Sequence, residues 1–278
     1  MNKKDLQLIL KQLKFTPNKK LGQNFIVDEN ALNKIISISN ISQNDIILEI
    51  GPGLGALTQK LVESGNKVYA IEIDYRLYSY LENIFSIYEN VEIIRGDILK
   101  IDIPHHNKVI SNIPYTITGP LLDKLFYRIN SPTGILTIEK KIADRIFSSN
   151  DYKNFSRISI SLNSFMIPVL RFNISRKSFY PIPDIMLSLI KIIPKDNINP
   201  FLSDRNTIEF FLKFVGGIMP YKNKNIVNAI DLYFKNQEDG LFNKEEILNI
   251  LQKNDYENNK VFTFKIEEFI EISKLFYS

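Results

Sequence analysis

Residues 46–58, "IILEIGPGLGALT", constrain the fold of this chain more than any other segment. The segment opens with a near-continuous apolar run, which is typical of a strand buried on both faces of a sheet. Gly51 and Gly53 then allow a sharp turn and leave space beside the backbone. Apolar residues recur at helical spacing after Gly55, and Gly65 is a suitable stop. The segment therefore predicts a strand, a glycine loop and a helix N-terminus with free amides.

Strands and amphipathic helices keep alternating along the first two thirds of the chain. We predict strands at 46–50, 67–73, 91–95, 108–112 and 134–139. Two further runs, 166–172 and 185–193, lie close together and predict a strand pair that closes the sheet with an antiparallel member. This alternation indicates an α/β fold with a doubly wound, mostly parallel sheet.

The character of the sequence changes after Pro194. A linker-like stretch, "PKDNINPFLSDRN", is followed by segments whose apolar residues recur at helical spacing only. Examples are the stripes that begin at Ile208, Ile226, Ile247 and Phe269. We therefore predict two domains, an α/β domain at 1–195 and a small all-helical domain at 196–278.

Composition limits the classes of site and of cellular location. The chain has no Cys, which excludes disulfides and thiolate metal sites, and its two His are adjacent, so we expect no metal. No apolar run is long enough to span a membrane, and the N-terminal segment resembles neither a secretory signal nor a transit peptide. We expect a cytoplasmic protein that does not bind membranes, and a monomer.

The N-terminal segment is basic and amphipathic. Leu6, Ile9, Leu10 and Leu13 are at helical spacing, and six lysines fall in the first 25 residues, namely Lys3, Lys4, Lys11, Lys14, Lys19 and Lys20. Two interpretations stay open: a helix packed by its apolar stripe, or an arm that contacts phosphates.

Acidic side chains after the second and third strands predict a nucleotide-type ligand beside the glycine loop. Glu72 lies 21 positions after Gly51 and can accept hydrogen bonds from ribose hydroxyls. The glycine spacing alone fits both NAD and S-adenosylmethionine. Asp97, which can accept from an adenine amine, favours S-adenosylmethionine, and so does the "NIPY" that ends the fourth strand.

Residues 112–115, "NIPY", predict an acceptor site at the same edge of the sheet. An adenine amine that attacks a methylsulfonium must release its lone pair, and hydrogen-bond acceptors on its two hydrogens promote this. The Asn112 oxygen is one candidate, and a carbonyl oriented by the rigid Pro114 is the other. Tyr115 offers a face for the base, a contact of about 1–3 kcal/mol. Alignment of amine, methyl and sulfur would supply most of the rate.

Several segments occur here in the order found in one known family. They are "LGQNFIVD" (21–28), "EIGPGLGALT" (49–58), "IEID" (71–74), "GDIL" (96–99), "NIPY" and "SFYPIPDI" (178–185). Over about residues 15–278 the chain resembles the rRNA adenine dimethyltransferases, and among them the KsgA-type small-subunit enzymes. The resemblance implies a class I, Rossmann-like methyltransferase fold and S-adenosylmethionine as methyl donor.

The resemblance also implies roles for individual residues. The matching cofactor-contacting positions are Gln23, Asn24, Phe25, Gly51, Gly53, Glu72, Asp97 and Asn112. Asn112, Pro114 and Tyr115 would form the catalytic motif, and Phe179 would cover a flipped adenine opposite Tyr115. The substrate would be two adjacent adenosines in the 3′-terminal hairpin loop of 16S rRNA, within the small ribosomal subunit or its precursor, and the helical domain would help to grip that particle.

The chain departs from the family pattern at residues 139–141, at Asp184, Ile185 and Leu187, and at 221–230, where an Arg-rich run is reduced to Lys222 and Lys224. These changes affect how RNA would be gripped. Three alternatives stay open: a large-subunit rRNA dimethyltransferase of the antibiotic-resistance kind, a noncatalytic nucleic-acid-binding scaffold on the same fold, and an NAD-dependent oxidoreductase.

Overall fold

Seven strands form one sheet at the centre of the α/β part of the chain. The computed structural model describes residues 3–18, 21–148, 155–237 and 242–277. A two-residue strand, β1 (Phe25–Ile26), precedes the sheet. The sheet contains β2 (Ile46–Ile50), β3 (Lys67–Glu72), β4 (Val91–Arg95), β5 (Lys108–Asn112), β6 (Thr133–Glu139), β7 (Met166–Ile174) and, after the short β8 (Phe179–Tyr180), β9 (Leu187–Pro194).

The strand order is β4-β3-β2-β5-β6-β9-β7. Strands β4, β3, β2, β5 and β6 are parallel neighbours, and β9 pairs antiparallel with β6. This confirms the predicted mostly parallel, doubly wound sheet. The order reverses between β2 and β5, so the loops after these two strands flank the crevice in which ligands bind to open α/β sheets.

Five of the described helices belong to the same part of the chain. They are α1 (Lys3–Gln12), α2 (Glu29–Ser39), α3 (Ala56–Val62), α4 (Tyr75–Phe85) and α5 (Thr118–Phe126). Asp28 and Asp74 cap α2 and α4 through side-chain hydrogen bonds to Asn30 N and Arg76 N. One apolar cluster joins α2, α3 and α4 to residues of β2, β3, β5 and β6.

The remaining helices are α6 (Lys140–Ile146), α7 (Arg157–Phe165), α8 (Arg205–Ile218), α9 (Ile226–Lys235), α10 (Lys244–Lys253) and α11 (Ile266–Leu275). The chain divides into two compact units, and the second contains 126–130 and 144–167 as well as 195–278. Aromatic rings fill part of its core, for example Phe214 stacked on Phe276 with centroids 6.1 Å apart. The functional division at residue 195 stays a prediction.

The N-terminal segment forms α1, and Leu6 and Leu10 are buried in a small apolar cluster with Phe15 and Phe25. The apolar stripe is therefore packed, whereas phosphate contact by the lysines stays a prediction, and Lys19 and Lys20 lie outside the described residues. Within the described ranges, no helix has both the length and the apolar content needed to cross a membrane.

Candidate methyl-donor and acceptor site

A cavity of about 170 Å³ lies at the carboxyl ends of β2, β3, β4 and β5. Eight of the predicted cofactor-contacting residues line it, together with Pro114; they are Gln23, Asn24, Phe25, Gly51, Gly53, Glu72, Asp97 and Asn112. Asn24 and Asn112, 88 residues apart, thus meet at one edge of the sheet. The loops after the parallel strands come together there because parallel strands direct their following loops to the same side. The roles of the individual residues stay predictions.

The glycine loop after β2 is shaped so that the cavity stays open. Gly51 and Gly53 have φ angles of +64° and +62°, a region that favours glycine. A Cβ on Gly53 would lie 2.7 Å from Cδ1 of Phe25. The loop therefore tolerates no larger residue at position 53 unless Phe25, which also lines the cavity, moves.

Glu72, at the end of β3, is held by the glycine loop itself. Gly53 N donates to its Oε2 at 3.2 Å, and Asp74 N donates to its Oε1 at 2.9 Å. Burial raises the pKa of Glu72 to about 7, although these two hydrogen bonds lower it. Each oxygen keeps a lone pair, so the carboxyl group can still accept from ribose hydroxyls.

A second buried carboxyl group, Glu49 of β2, lines the same cavity. Glu49 is 2% exposed, and its Oε2 has no hydrogen-bond partner among the described residues. Burial above all, with a smaller contribution from the nearby Glu72, raises the pKa of Glu49 to about 8, although the hydroxyl of Thr58 lowers it. Glu49 is not among the site residues predicted from the sequence. A single acid inside the apolar run "IILEI" is unusual, however, and this alone could have marked Glu49 as a candidate site residue.

The charge of the cavity distinguishes between the two candidate cofactors. Glu49, Glu72 and Asp97 line it, whereas none of the described lining residues is Lys, Arg or His. The Gly53 amide, which a dinucleotide pyrophosphate would need, is already donated to Glu72. An anionic pyrophosphate is disfavoured in such surroundings, whereas a cationic methyl donor fits. The three acids do not form a metal site, since no group of three or more metal-ligating side chains occurs among the described residues.

The segment "GQNF" lies over the cavity and is fixed by hydrogen bonds. Gln23 Oε1 accepts from Asn18 N at 2.7 Å, and Gln23 Nε2 donates to Asp74 Oδ2 at 3.4 Å. Asn24 Nδ2 donates to Gly22 O at 3.2 Å. Leu6 of α1 also lines the cavity, which the sequence analysis did not foresee because it left the position of α1 open.

Asp97 follows β4 at the far side of the cavity. Its Oδ1 accepts from Leu99 N at 3.0 Å, which is an ordinary turn interaction, and its Oδ2 lies 3.8 Å from Lys100 Nζ. This position leaves acceptor capacity for an adenine amine, the role predicted from the sequence.

Asn112 ends β5 beside the cavity, and its two amide atoms are used differently. Nδ2 donates to Asn24 O at 3.0 Å, which fixes the orientation of the side chain. Oδ1 is buried and has no hydrogen-bond partner among the described residues. The Pro114 carbonyl, the second predicted acceptor, already accepts from Ile117 N at 3.2 Å and keeps one lone pair.

The two predicted stacking residues, Tyr115 and Phe179, belong to one apolar neighbourhood. Phe179 is 2% exposed in the main apolar cluster, and the half-buried Tyr115 packs against that cluster. Burial raises the pKa of the Tyr115 hydroxyl. Strand β8, which contains Phe179, pairs with β1 next to Asn24. In this conformation Phe179 offers no free ring face, so its predicted contact with a base requires it to move.

Known proteins match most of this chain. A family model described as ribosomal RNA adenine dimethylase matches residues 14–272. The probable ribosomal RNA small subunit methyltransferase A of Pyrococcus furiosus is 34% identical over 268 residues, which is 95% of this chain and 94% of that protein. Its counterpart from Methanococcoides burtonii is 36% identical over 208 residues, 75% of each chain.

Solved structures agree with these matches. A dimethyladenosine transferase from Plasmodium falciparum has a TM-score of 0.73 at 28% identity and covers 89% of this chain and 95% of its own. The 23S rRNA methyltransferase ErmE, at 19% identity and a TM-score of 0.62, supports the fold alone. The predicted methyltransferase fold and the predicted family are thereby confirmed. This chain belongs to the ribosomal RNA adenine dimethylase family.

Proposed function

We propose that this protein dimethylates the exocyclic amines of two adjacent adenosines in the 3′-terminal hairpin loop of 16S rRNA. One observation supports the acceptor chemistry above all: the Asn112 Oδ1 is buried at the edge of the cavity and has no hydrogen-bond partner in the part of the chain that the structure describes, while Nδ2 fixes its orientation. Leaving a buried acceptor unpaired costs about 1–3 kcal/mol, so a ligand N–H is the natural partner.

S-adenosylmethionine, the methyl donor, carries its transferable methyl group on a positively charged sulfur when it is bound. The cavity residues would hold the donor by complementary contacts. Glu72 would accept from the ribose hydroxyls and Asp97 from the adenine amine, while the open backbone at Gly51 and Gly53 leaves room for the ligand. The acids facing a ligand of net positive charge would stabilise it.

The acceptor residues would orient the target amine and keep water away from it. Asn112 Oδ1 and the remaining lone pair of the Pro114 carbonyl would accept the two amine hydrogens, which directs the nitrogen lone pair toward the methyl group. No strong base is needed, because the amine loses its proton during or after the displacement. Once Phe179 has moved out of the apolar cluster that buries it, Tyr115 and Phe179 would hold the flipped base between them. Alignment could supply up to roughly 7–11 kcal/mol.

The setting is part of the same proposal. The curated relatives are named small-subunit rRNA methyltransferases, so we propose the small ribosomal subunit or its precursor as the substrate particle and the cytoplasm as the location. The helical residues 196–278 would contact that particle, and the enzyme would act as a monomer. The description of the matching family model names no ribosomal subunit, so large-subunit rRNA is the second candidate substrate.

The decisive experiment maps the modified adenosines. The protein is incubated with radiolabelled S-adenosylmethionine and either unmethylated small subunits or 23S rRNA, and the labelled positions are found by primer extension. We expect label in two adjacent adenosines of the 16S hairpin loop. Label in 23S rRNA instead would contradict the proposed substrate but keep the chemistry.

The Asn112→Ala variant tests the chemistry itself. We expect methylation to fall by about 10²–10³-fold, the range observed when one oriented transition-state hydrogen bond is removed. RNA binding, measured by filter retention, should change little. Asn83→Ala, an exposed position on α4, is the matched control. If Asn112→Ala dimethylates at a rate close to that of the wild type, the acceptor role is wrong.

A further inference from the structure

Glu49 is the buried carboxyl group for which the proposed reaction has no role so far. It lies on β2 two residues before the glycine loop, and its neighbours in the register are apolar. The described residues satisfy both oxygens of Glu72, but they leave Oε2 of Glu49 without a hydrogen bond. An acid in such a position is either protonated or ionised beside a bound cation, because an isolated buried charge is very unfavourable.

Among the described residues that line the cavity, none is basic and able to pair with Glu49. The groups that these elements present toward the cavity end of β2 are Glu72 from β3, Thr58 from α3, Asn112 from β5 and, across the cavity, Asp97. The one buried lysine of β5, Lys108, lies at the opposite end of the strand and pairs with Asp45 at 2.6 Å. Glu49 therefore faces acids and neutral groups only.

We propose that Glu49 is the counter-ion of the methyl donor, and that binding of the donor drives a proton off the Glu49 carboxyl group. The proposal rests on the proposed function for the identity of the donor. It adds to that function the release of a proton when the donor binds.

The physical basis is a balance of charge inside the cavity. With a pKa of about 8, Glu49 is mostly protonated at neutral pH when no cation is near. A bound cation a few ångströms away lowers the pKa of a carboxyl group by 1–3 units, which is enough to ionise it. Methyl transfer converts the sulfonium into a neutral thioether, so the product S-adenosylhomocysteine has one positive charge less. Glu49 then takes a proton back, and the product loses its counter-ion.

This cycle predicts discrimination between donor and product. The ionised carboxylate attracts the donor but gains nothing from the neutral thioether, so donor affinity should exceed product affinity, and more so as the pH rises. Such a difference would limit inhibition by the accumulated product. Glu72 titrates in a nearby range, with a pKa of about 7, but its oxygens are held by backbone amides, so it needs a cation less than Glu49 does.

Isothermal titration calorimetry of the full chain measures the proton directly. Titrations with S-adenosylmethionine and with S-adenosylhomocysteine are run at pH 7 in phosphate and in Tris, whose ionisation enthalpies differ. The dependence of the observed enthalpy on the buffer gives the number of protons exchanged. For the wild type, we expect donor binding to release at least half a proton more than product binding.

Glu49→Gln removes the titrating group and keeps its shape. In this variant the difference in proton release between donor and product should disappear, and donor affinity should fall about tenfold while product affinity falls less. The positive sulfur lowers the pKa of the donor's amine relative to that of the product, so the two ligands differ in this respect. Each amine contributes equally with both proteins, however, and this contribution is removed by subtracting the proton difference of a ligand pair that is measured free in solution. Glu89→Gln, an exposed acid in the loop before β4, is the matched control and should behave as the wild type.

The outcomes separate the two proposals. Donor binding with the same proton exchange as product binding in the wild type overturns the counter-ion role and leaves the methyltransferase function intact. Absence of donor binding overturns both. If Glu49→Gln does not fold, the wild-type ratio of product to donor dissociation constants still decides: it should rise from pH 6.5 to 8.5, and a ratio that stays flat contradicts the proposal.

Discussion

The two ends of strands β2 and β5 differ in whether their buried polar groups have hydrogen-bond partners. At the amino end, Lys108 Nζ donates to Asp45 Oδ2 at 2.6 Å, to Asn40 O at 2.9 Å and to Ser39 O at 3.1 Å. At the carboxyl end, Glu49 Oε2 and Asn112 Oδ1 have no partner among the described residues. The amino end is therefore satisfied by the protein itself, whereas the carboxyl end keeps two buried acceptor oxygens that a ligand can use.

The difference also appears in the titration of the acids. Burial alone would raise the pKa of Asp45, but hydrogen bonds from Lys108 and Ser42 outweigh it and hold that pKa below its usual value. The pKa values of Glu49 and Glu72 are raised, because burial there is not offset by a cation. The ion pair at the amino end therefore contributes stability, whereas the buried acids at the carboxyl end have no cation beside them among the described residues, which costs stability.

The largest effect is expected when the satisfied end is broken. Lys108→Met leaves the buried carboxylate of Asp45 with its hydrogen bond from Ser42 N but without a cation, which should lower the free energy of unfolding by about 3–5 kcal/mol. Urea denaturation at pH 7 measures this. The Asp45→Asn, Lys108→Met double variant removes both charges and should recover part of the loss. A single variant as stable as the wild type would show that this end is not the stabilising one.

A smaller effect, on binding rather than stability, is expected from Gly53→Ala. The added Cβ would lie 2.7 Å from Phe25 Cδ1, and the φ of +62° is unfavourable for alanine, at a cost of about 1–2 kcal/mol. Donor affinity measured by calorimetry should fall at least tenfold, because either Phe25 or the loop must move into the cavity. Gly119→Ala, where a Cβ meets open space, is the control. Unchanged donor affinity would mean that the ligand does not depend on this loop.

The third prediction concerns stability and pH without any ligand. Glu49 and Glu72 have raised pKa values in the folded state, so the folded protein binds more protons than the unfolded chain between about pH 4.5 and pH 8. Stability should fall as the pH rises through this window. Glu49→Gln should reduce that fall by on the order of 2 kcal/mol, seen as a flatter dependence of Tm on pH from 6 to 8.5.

Glu89→Gln, which is exposed, should keep the slope of the wild type. A wild-type Tm that is constant between pH 6 and 8.5 would show that the acids at the carboxyl end do not titrate there.

The smallest effect is expected from an exposed ion pair near the amino ends of β3 and β4. Lys67 Nζ lies 3.4 Å from Glu92 Oε2, with side-chain exposures of 37% and 54%. Lys67→Ala should lower stability by less than about 1 kcal/mol, the range of exposed pairs. Urea denaturation beside Lys108→Met gives the comparison. A loss as large as that of Lys108→Met would mean that charge pairing at this edge, rather than burial, decides stability.

Local sequence patterns were enough to predict the seven strands of the main sheet and the helical character of the C-terminal residues, because strand and helix periodicities are carried by neighbouring residues. The apolar run at 46–50 and the stripe at Ile208, Phe211 and Val215 carry their periodicity in the chain itself. The motif order also sufficed to predict the family. The matched residues 14–272 confirm it.

The hydrogen-bond partners of the polar groups in the site could not be predicted from the sequence. Side-chain hydrogen bonds join residues far apart in the chain, such as Asn112 with Asn24, so no local pattern reveals them. The same holds for the buried position of Phe179, for Leu6 in the wall of the cavity and for the unpartnered oxygen of Glu49. Burial and hydrogen bonding are properties of the assembled sheet edge, and they determine which acids are free to meet a ligand.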